Sequence, residues 1–181
     1  MTQQQLMDDL RAPFPESSIE WKVQTCGVSG NGPWAMVCAY VDARSLQDRL
    51  DLIFGPLGWQ TTYREASGGS EAGFLCSLSV HVEGRGWVSK EDGAPSTDIE
   101  PLKGGISSAF KRVCSSGFGI GRYLYGLETN FADCQPDPKE PERKKKAKAA
   151  GYTKAKTKKG EYFWWKAPKM PEWALPKEVS E

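Results

Sequence analysis

The 181-residue chain holds 24 Lys and Arg against 23 Asp and Glu, with 39% hydrophobic and 11% aromatic residues. That is enough for one domain with a buried core and an extension. Residues 136–181 carry 13 Lys/Arg against 7 Asp/Glu, leaving the remainder net acidic, so bulk charge does not announce a nucleic-acid binder and local cation placement has to carry any such role.

The five cysteines, at 26, 38, 76, 114 and 134, form no C-x-x-C pair. Their number is odd, and a reducing cytoplasm is the simple explanation. The opening MTQQQLMDDLRAPFP lacks a basic-then-apolar leader, and no run reaches membrane-spanning length, so the expectation is a soluble protein that stays inside the cell.

Taken in chain order, residues 1–18 form an arm with a helix over Gln3–Arg11, stopped by Pro13 and Pro15. Strands over Trp21–Gly27 and Trp34–Val41 flank a Gly30-Asn31-Gly32-Pro33 turn. Ala43–Phe54 is helical, with Ala43, Leu46, Leu50, Ile53 and Phe54 on one face and Gly55-Pro56 as its stop. Trp59–Arg64 reads as a strand. Phe74, Cys76, Leu78, Val80 and Val82 alternate with polar residues, the pattern of a half-buried strand. A Glu83–Gly86 turn leads to a partner at Trp87–Lys90, and Glu91–Glu100 reads as a flexible loop. The order predicts an α+β fold: an antiparallel sheet covered by helices on one face.

Lys103 to Tyr125 is the most informative stretch. Ile106, Ala109, Phe110 and Val113 follow the i, i+3, i+4, i+7 spacing of a buried helical stripe. On that phasing Lys111 stands above Ser107 and Ser108, off the stripe, with Arg112 beside it. Long cations with small hydroxyls suit a phosphate backbone.

After Cys134 the composition changes. Residues 135–151 read as a basic linker, mobile or helical only late, and Lys139–Lys159 carries ten cations against two acids. Tyr152–Lys156 and Tyr162–Lys166 are expected to pair around Lys158-Lys159-Gly160. The ending through Trp164, Trp165, Trp173 and Pro176 is too aromatic to be loose in water, so 152–181 should dock on the 19–134 core domain or on a neighbouring subunit.

Other chemistries are set aside. There is no phosphate-binding Gly-x-x-x-x-Gly-Lys-Ser/Thr loop. Gly117, Gly119 and Gly121 are followed by Leu124 where a dinucleotide motif needs glycine, and a helix leads into them. His81 is the sole histidine, so a zinc site is not expected. Asp48 and Asp51, interleaved with Arg44 and Arg49, read as a solvent face, which with Asp42 gives no convincing nuclease metal cluster. Neither a cofactor nor a catalytic residue is expected.

The motifs do match one family. Lys103-Gly104, the Lys111-Arg112 pair and Gly119-Ile120-Gly121-Arg122-Tyr123-Leu124-Tyr125 resemble the signature helix of the Rad fifty-two/twenty-two family of single-strand DNA-annealing proteins, above all its bacterial and phage members. A second block agrees: Ala39-Tyr40-Val41-Asp42-Ala43-Arg44, Asp48-Arg49-Leu50, Gly55-Pro56 and Gly58-Trp59-Gln60. The resemblance covers about Trp21 to Gly126. Cys114-Ser115-Ser116-Gly117 is one residue longer than the family pattern, which predicts a bulge in the helix, and Ser115 stands near a further arginine of eukaryotic members.

The resemblance implies a ring or helical homo-oligomer whose groove holds single-stranded DNA and anneals complementary strands without ATP, in homologous recombination and double-strand-break repair. Lys111 and Arg112 match the family's inner Lys-Arg pair, Tyr40 a tyrosine near the groove and Lys103 a basic position further out; Arg44 and Arg122 are additional candidates. Lys144, Lys145, Lys146 and Lys148 are candidates for an outer contact to the incoming strand or duplex. Implied partners are DNA, further copies of the chain, and an exonuclease or single-strand-binding protein; a membrane is not among them. The alternatives are a coating or end-protecting protein that does not anneal, and an adaptor whose basic tail recruits another repair protein.

Overall fold

The computed structural model describes residues 1–68, 71–97, 100–127 and 130–177. In chain order the elements are α1 (Gln3–Arg11), β1 (Ile19–Ser29), β2 (Gly32–Val41), α2 (Ala43–Phe54), β3 (Trp59–Gly68), β4 (Glu71–Val82), β5 (Gly86–Pro95), α3 (Pro101–Phe118), β6 (Asn130–Phe131), β7 (Asp133–Pro136), α4 (Pro141–Ala149), β8 (Thr153–Lys156) and β9 (Tyr162–Lys166). The fold is α+β with antiparallel pairing, as expected, but the single expected sheet is replaced by three three-stranded ones, ordered β1-β2-β6, β3-β4-β5 and β7-β9-β8. Among the described residues no helix is long and apolar enough to cross a membrane.

The chain divides into two compact units. One comprises Met1–Ser18, Val41–Tyr123 and the described residues from Pro176; the other comprises Ile19–Tyr40 and Leu124–Leu175. The sequence reading grouped 19–134 together. The structure instead joins the β1–β2 hairpin to the chain after Leu124, because β6 pairs with β2, Met36 opposite Phe131 and Val37 opposite Asn130.

In the first unit the β3-β4-β5 meander is the platform. Cys76, Leu78 and Val80 of β4 are fully buried on one face, as the period-2 pattern requires. The α3 helix lies on β4 and β5 and touches α2. Ala109, Phe110, Val113 and Cys114 of α3 and Leu46 and Leu50 of α2 are buried, and Trp59 meets Phe110 with ring centroids 6.2 Å apart.

A capping box starts α1: Thr2 Oγ1 accepts from Gln5 N, and Gln5 Oε1 accepts from Thr2 N. Asp42 starts α2 by accepting from Ser45 N at 2.7 Å. That backbone hydrogen bond holds its carboxyl below the ordinary value.

Two expectations fail in this unit. Glu91–Glu100 is not a flexible loop throughout, since β5 stays in register with β4 as far as Pro95, opposite Gly73. Glu91 and Asp92 are charged, Gly93 has no side chain and only Ala94 is buried, so hydrophobic alternation could not reveal the strand; backbone pairing holds it, with the Arg64–Glu91 ion pair at 2.7 Å alongside. Asp98 and Ile99 lie outside the described residues. Arg49 is likewise not part of a solvent face. It is half-buried over the Phe14 ring, 4.2 Å from the centroid, and its Nη1 donates to Asp9 O at 3.0 Å and Ala12 O at 2.8 Å. These bonds tie the end of α1 and the arm after it to α2.

In the second unit the β8–β9 hairpin forms around Lys158-Lys159-Gly160, with Lys156 opposite Tyr162. Fully buried Phe163 clusters with Ala35 and Val37, with Trp21, Val23 and Trp165 packed against them. Phe163 and Trp165 of β9 therefore pack against the chain's own β1–β2 hairpin, while Trp173 is 58% exposed. Trp164 Nε1 donates to Asp137 Oδ1 at 2.7 Å. That bond, with Lys154 at 3.2 Å, keeps the Asp137 carboxyl below its usual range.

The stretch expected to be a mobile linker contains α4. Lys, Arg, Glu and Ala are good helix formers. Glu142 in the first turn and Lys146 and Lys148 in the last complement the helix dipole. Ala147 alone in α4 is buried, so charge covers the rest of the helix.

Candidate nucleic-acid interface

Close packing sets how α3 lies on the sheet. Gly105 is buried where a Cβ would stand 2.5 Å from the Phe74 ring, and at Gly117 a Cβ would stand 2.7 Å from Lys90 Cβ. Without side chains at these points α3 lies low on β4 and β5, and its outer face carries the polar residues. Lys103, Ser107 and Lys111 follow each other at i, i+4, i+8, and Ser108, Arg112 and Ser116 form the adjacent row. The rise per residue places the Cα atoms of Lys103 and Lys111 about 12 Å apart along the axis. Lys111 is half-buried and Arg112 exposed.

Asp92, on the strand beneath, organises this face. Arg112 Nε stands 3.2 Å from Asp92 Oδ1, and Ser116 Oγ donates to Asp92 Oδ2 at 2.6 Å. Ser116 Oγ also stands 2.8 Å from Arg112 O, a second acceptor that shares its one proton. Burial pushes the Asp92 carboxyl up, but the Ser116 hydroxyl, the Gly93 N–H and the Arg112 guanidinium outweigh it and hold the group below its ordinary value. Arg112 is thus held in place by a carboxylate that stays ionised at neutral pH. An oriented guanidinium can meet a phosphate without first being ordered.

The predicted bulge does not occur. Residues 101–118 are continuous α-helix, and the chain turns at Gly119 (φ 82°) and Gly121 (φ 70°). Gly119 N donates to Ser115 O and Ile120 N to Cys114 O, both at 3.0 Å. At the helix end, left-handed glycines redirect the chain without strain.

Arg122 completes that end. Its Nε donates to Ser115 O at 2.8 Å and its Nη2 to Ser116 O at 2.5 Å. The guanidinium is therefore occupied with the last carbonyls of α3, at the negative end of the helix dipole. Tyr123 OH accepts from Phe14 N at 2.9 Å, and Leu124 is buried while Tyr125 is exposed.

Of the remaining candidates, Lys103 pairs with Glu100 at 3.2 Å across one exposed turn. Arg44 is exposed in the first turn of α2. A groove of about 610 Å³ lies beside the Lys103–Ser107 row, lined among others by Ala43, Gln47, Tyr63, Ile106 and Phe110. The first unit thus brings Lys103, Lys111, Arg112 and Arg122 onto or against one helix. Tyr40 belongs to the second unit, where Lys22 Nζ sits 4.1 Å from its ring centroid. Lys144, Lys145, Lys146 and Lys148 belong to α4, Lys145 pairing with Glu142 at 3.3 Å.

Sequence reasoning missed Asp92, which fell inside the expected loop, and Tyr63. Tyr63 lies beyond the alternating pattern, on a half-buried strand face, and burial pushes its hydroxyl up to about 12. No group of three or more metal-ligating side chains is present among the described residues.

The sequence pattern of the Rad52/22 family of double-strand break repair proteins matches residues 2–143, which includes α1, α2, the meander and the whole of α3. The chain belongs to the Rad52/22 family. It is also similar to two proteins named single-stranded DNA-binding protein DdrA. The one from Deinococcus radiodurans is 32% identical over 169 residues, and the one from Deinococcus deserti is 31% identical over 172. Each match covers 92% of this chain, and the chain spans 66% and 68% of those relatives' lengths. The match to this Rad52/22 family pattern ends within α4, so the β8–β9 hairpin and the aromatic ending lie outside it.

Proposed function

We propose that this Rad52/22 family chain binds single-stranded DNA through the outer face of α3 and anneals complementary strands without ATP, in recombination and double-strand-break repair. The observation that carries the reading is the Lys111–Arg112 pair on a helix packed low enough to present it, with Asp92 orienting Arg112 at 3.2 Å. The family match over residues 2–143 and the names of the two relatives support it.

Annealing needs the backbone held while base edges stay free for a partner. Lys and Arg contacts to phosphate do this, independent of sequence and with steep salt dependence. In this reading Lys111 and Arg112 take phosphates, Lys103 and Arg44 extend the path within the first unit, and Tyr40 is a separate contact on the second. Arg122 acts by holding the end of α3. The α4 lysines 144, 145, 146 and 148 form an outer contact for the incoming strand. The chain works as a homo-oligomer, since open sheet edges are stabilised by assembly, and its setting is the cytoplasm.

The relatives' names specify binding and not annealing, which favours a second reading as a coating or end-protecting protein. Mixing two complementary labelled oligonucleotides with the protein, without ATP, separates the two. Accelerated duplex formation supports annealing. Binding without acceleration supports coating, and no binding overturns both.

A further inference from the structure

The second unit contains a cleft that the reading above leaves without a role. Its volume is about 550 Å³, and it is walled by Val23–Val28 of β1, by Trp34 of β2, and by Ala155–Lys159 with Glu161 from the β8–β9 hairpin. We propose that this cleft is a second contact for single-stranded DNA, with Trp34 stacking on a base and Lys156, Lys158 and Lys159 holding phosphates.

Three observations carry the proposal. Trp34 is 38% exposed while its neighbours Ala35 and Val37 are fully buried. A ring this large, with its neighbours in the core, contributes little to that core. Its indole rests against Gly27, where a Cβ would come within 3.0 Å of Cζ2 and Nε1. The β1 backbone therefore supports the ring from one side.

The lysines stand on a well-ordered turn. Thr157 N donates to Glu161 O at 2.8 Å and Gly160 N to Thr157 O at 3.0 Å, while the buried Thr157 hydroxyl accepts from Glu161 N at 3.2 Å. Gly160, at φ 91°, permits the reversal. Cys26 Sγ lies 3.9 Å from Lys156 O, where the hairpin meets β1.

Charge in the cleft is one-sided. Lys156, Lys158 and Lys159 are exposed, and among the described residues none of them has a carboxylate at ion-pair distance. Glu161 is the single acid lining the cleft, and its carboxylate accepts from the Thr157 hydroxyl at 3.4 Å. An aromatic face beside ammonium groups that no carboxylate neutralises is the combination that holds an unpaired nucleotide. Duplex bases are already stacked on each other and cannot offer a face to Trp34. An acidic peptide would satisfy the lysines and leave the indole unused.

The inference rests on the single-strand-binding reading, and the test distinguishes the two. Full-length protein is irradiated with an oligonucleotide carrying 5-iododeoxyuridine, and crosslinks are mapped by mass spectrometry. Affinity is measured across a salt series for wild type, for Lys156→Ala/Lys158→Ala/Lys159→Ala and for Lys111→Ala/Arg112→Ala, with circular dichroism to check the fold. The expected result is a crosslink at Trp34 that persists in the Lys111/Arg112 variant and is lost in the hairpin variant. The hairpin variant should also lower the log-affinity against log-salt slope by roughly 2, from about 0.7 per lost contact. No crosslink at Trp34, with the hairpin variant's slope unchanged while wild type still binds, overturns the cleft and leaves the α3 reading intact. Displacement of the Trp34 crosslink by polyglutamate at equal charge assigns the cleft to an acidic peptide instead. Failure of wild type to bind the oligonucleotide overturns both readings.

Discussion

Replacing Gly117 by alanine sets two effects of opposite sign against each other. In an unhindered helix the change would stabilise by about 1 kcal/mol, and by less in a last turn. Here the new Cβ would stand 2.7 Å from Lys90 Cβ and 3.1 Å from its Cγ. Carbon atoms pack at about 3.5–4.0 Å, so α3 and β5 would have to separate by roughly 0.8 Å. Lys90 Cβ cannot move aside as a side-chain tip would, because Lys90 is paired with fully buried Leu78 in the β4–β5 ladder. Overpacking of this kind costs about 1–3 kcal/mol, so the clash should win. The net expectation is a loss of about 1 kcal/mol. With a urea m-value near 2 kcal/mol/M the unfolding midpoint would fall by about 0.5 M. A Lys90→Ala background keeps Cβ and should keep the penalty, whereas Lys90→Gly should remove it. If Gly117→Ala stabilises the protein, whether Lys90 is retained or already replaced by alanine, the close approach of α3 to β5 is refuted.

Two further outcomes follow from the same unit. Burial pushes the Cys76 thiol up to about 11, and that of Cys114 further still. Both should stay protonated and unreactive towards a disulfide reagent at pH 8, reacting only on unfolding; fast modification of either in native protein would contradict the packing. Arg122→Ala removes two donors from the last carbonyls of α3 and should cost about 1 kcal/mol in a denaturant melt. The DNA salt slope should be unchanged, whereas a shallower slope with unaltered stability would make Arg122 a phosphate contact.

Much of this architecture could be read from periodicity. The α2 and α3 stripes and the Cys76, Leu78, Val80 alternation repeat one-sided burial, and burial is what a hydrophobic pattern records. The helix over Gln3–Arg11 and the hairpin at Lys158-Lys159-Gly160 were legible from stop signals and turn chemistry. The end of β5 was not, because Glu91 and Asp92 are held by an ion pair, hydrogen bonds and the backbone ladder. The same blindness hid Asp92 as the residue that orients Arg112. Arg49 looked solvent-facing because its partners are main-chain carbonyls 36 to 40 residues away, which no local pattern encodes. The pairing that joins β2 to the chain after Leu124 is made by β6, a two-residue strand too short to carry a pattern.

The central claim is that the outer face of α3 grips DNA phosphate. It is tested most directly by measuring single-strand affinity of wild type and Lys111→Ala/Arg112→Ala across a salt series, with light scattering to confirm an unchanged assembly. The account predicts weaker binding to every sequence alike and a slope shallower by roughly 1.4, at about 0.7 per lost contact. Unchanged affinity and slope in a variant with its assembly intact would contradict it.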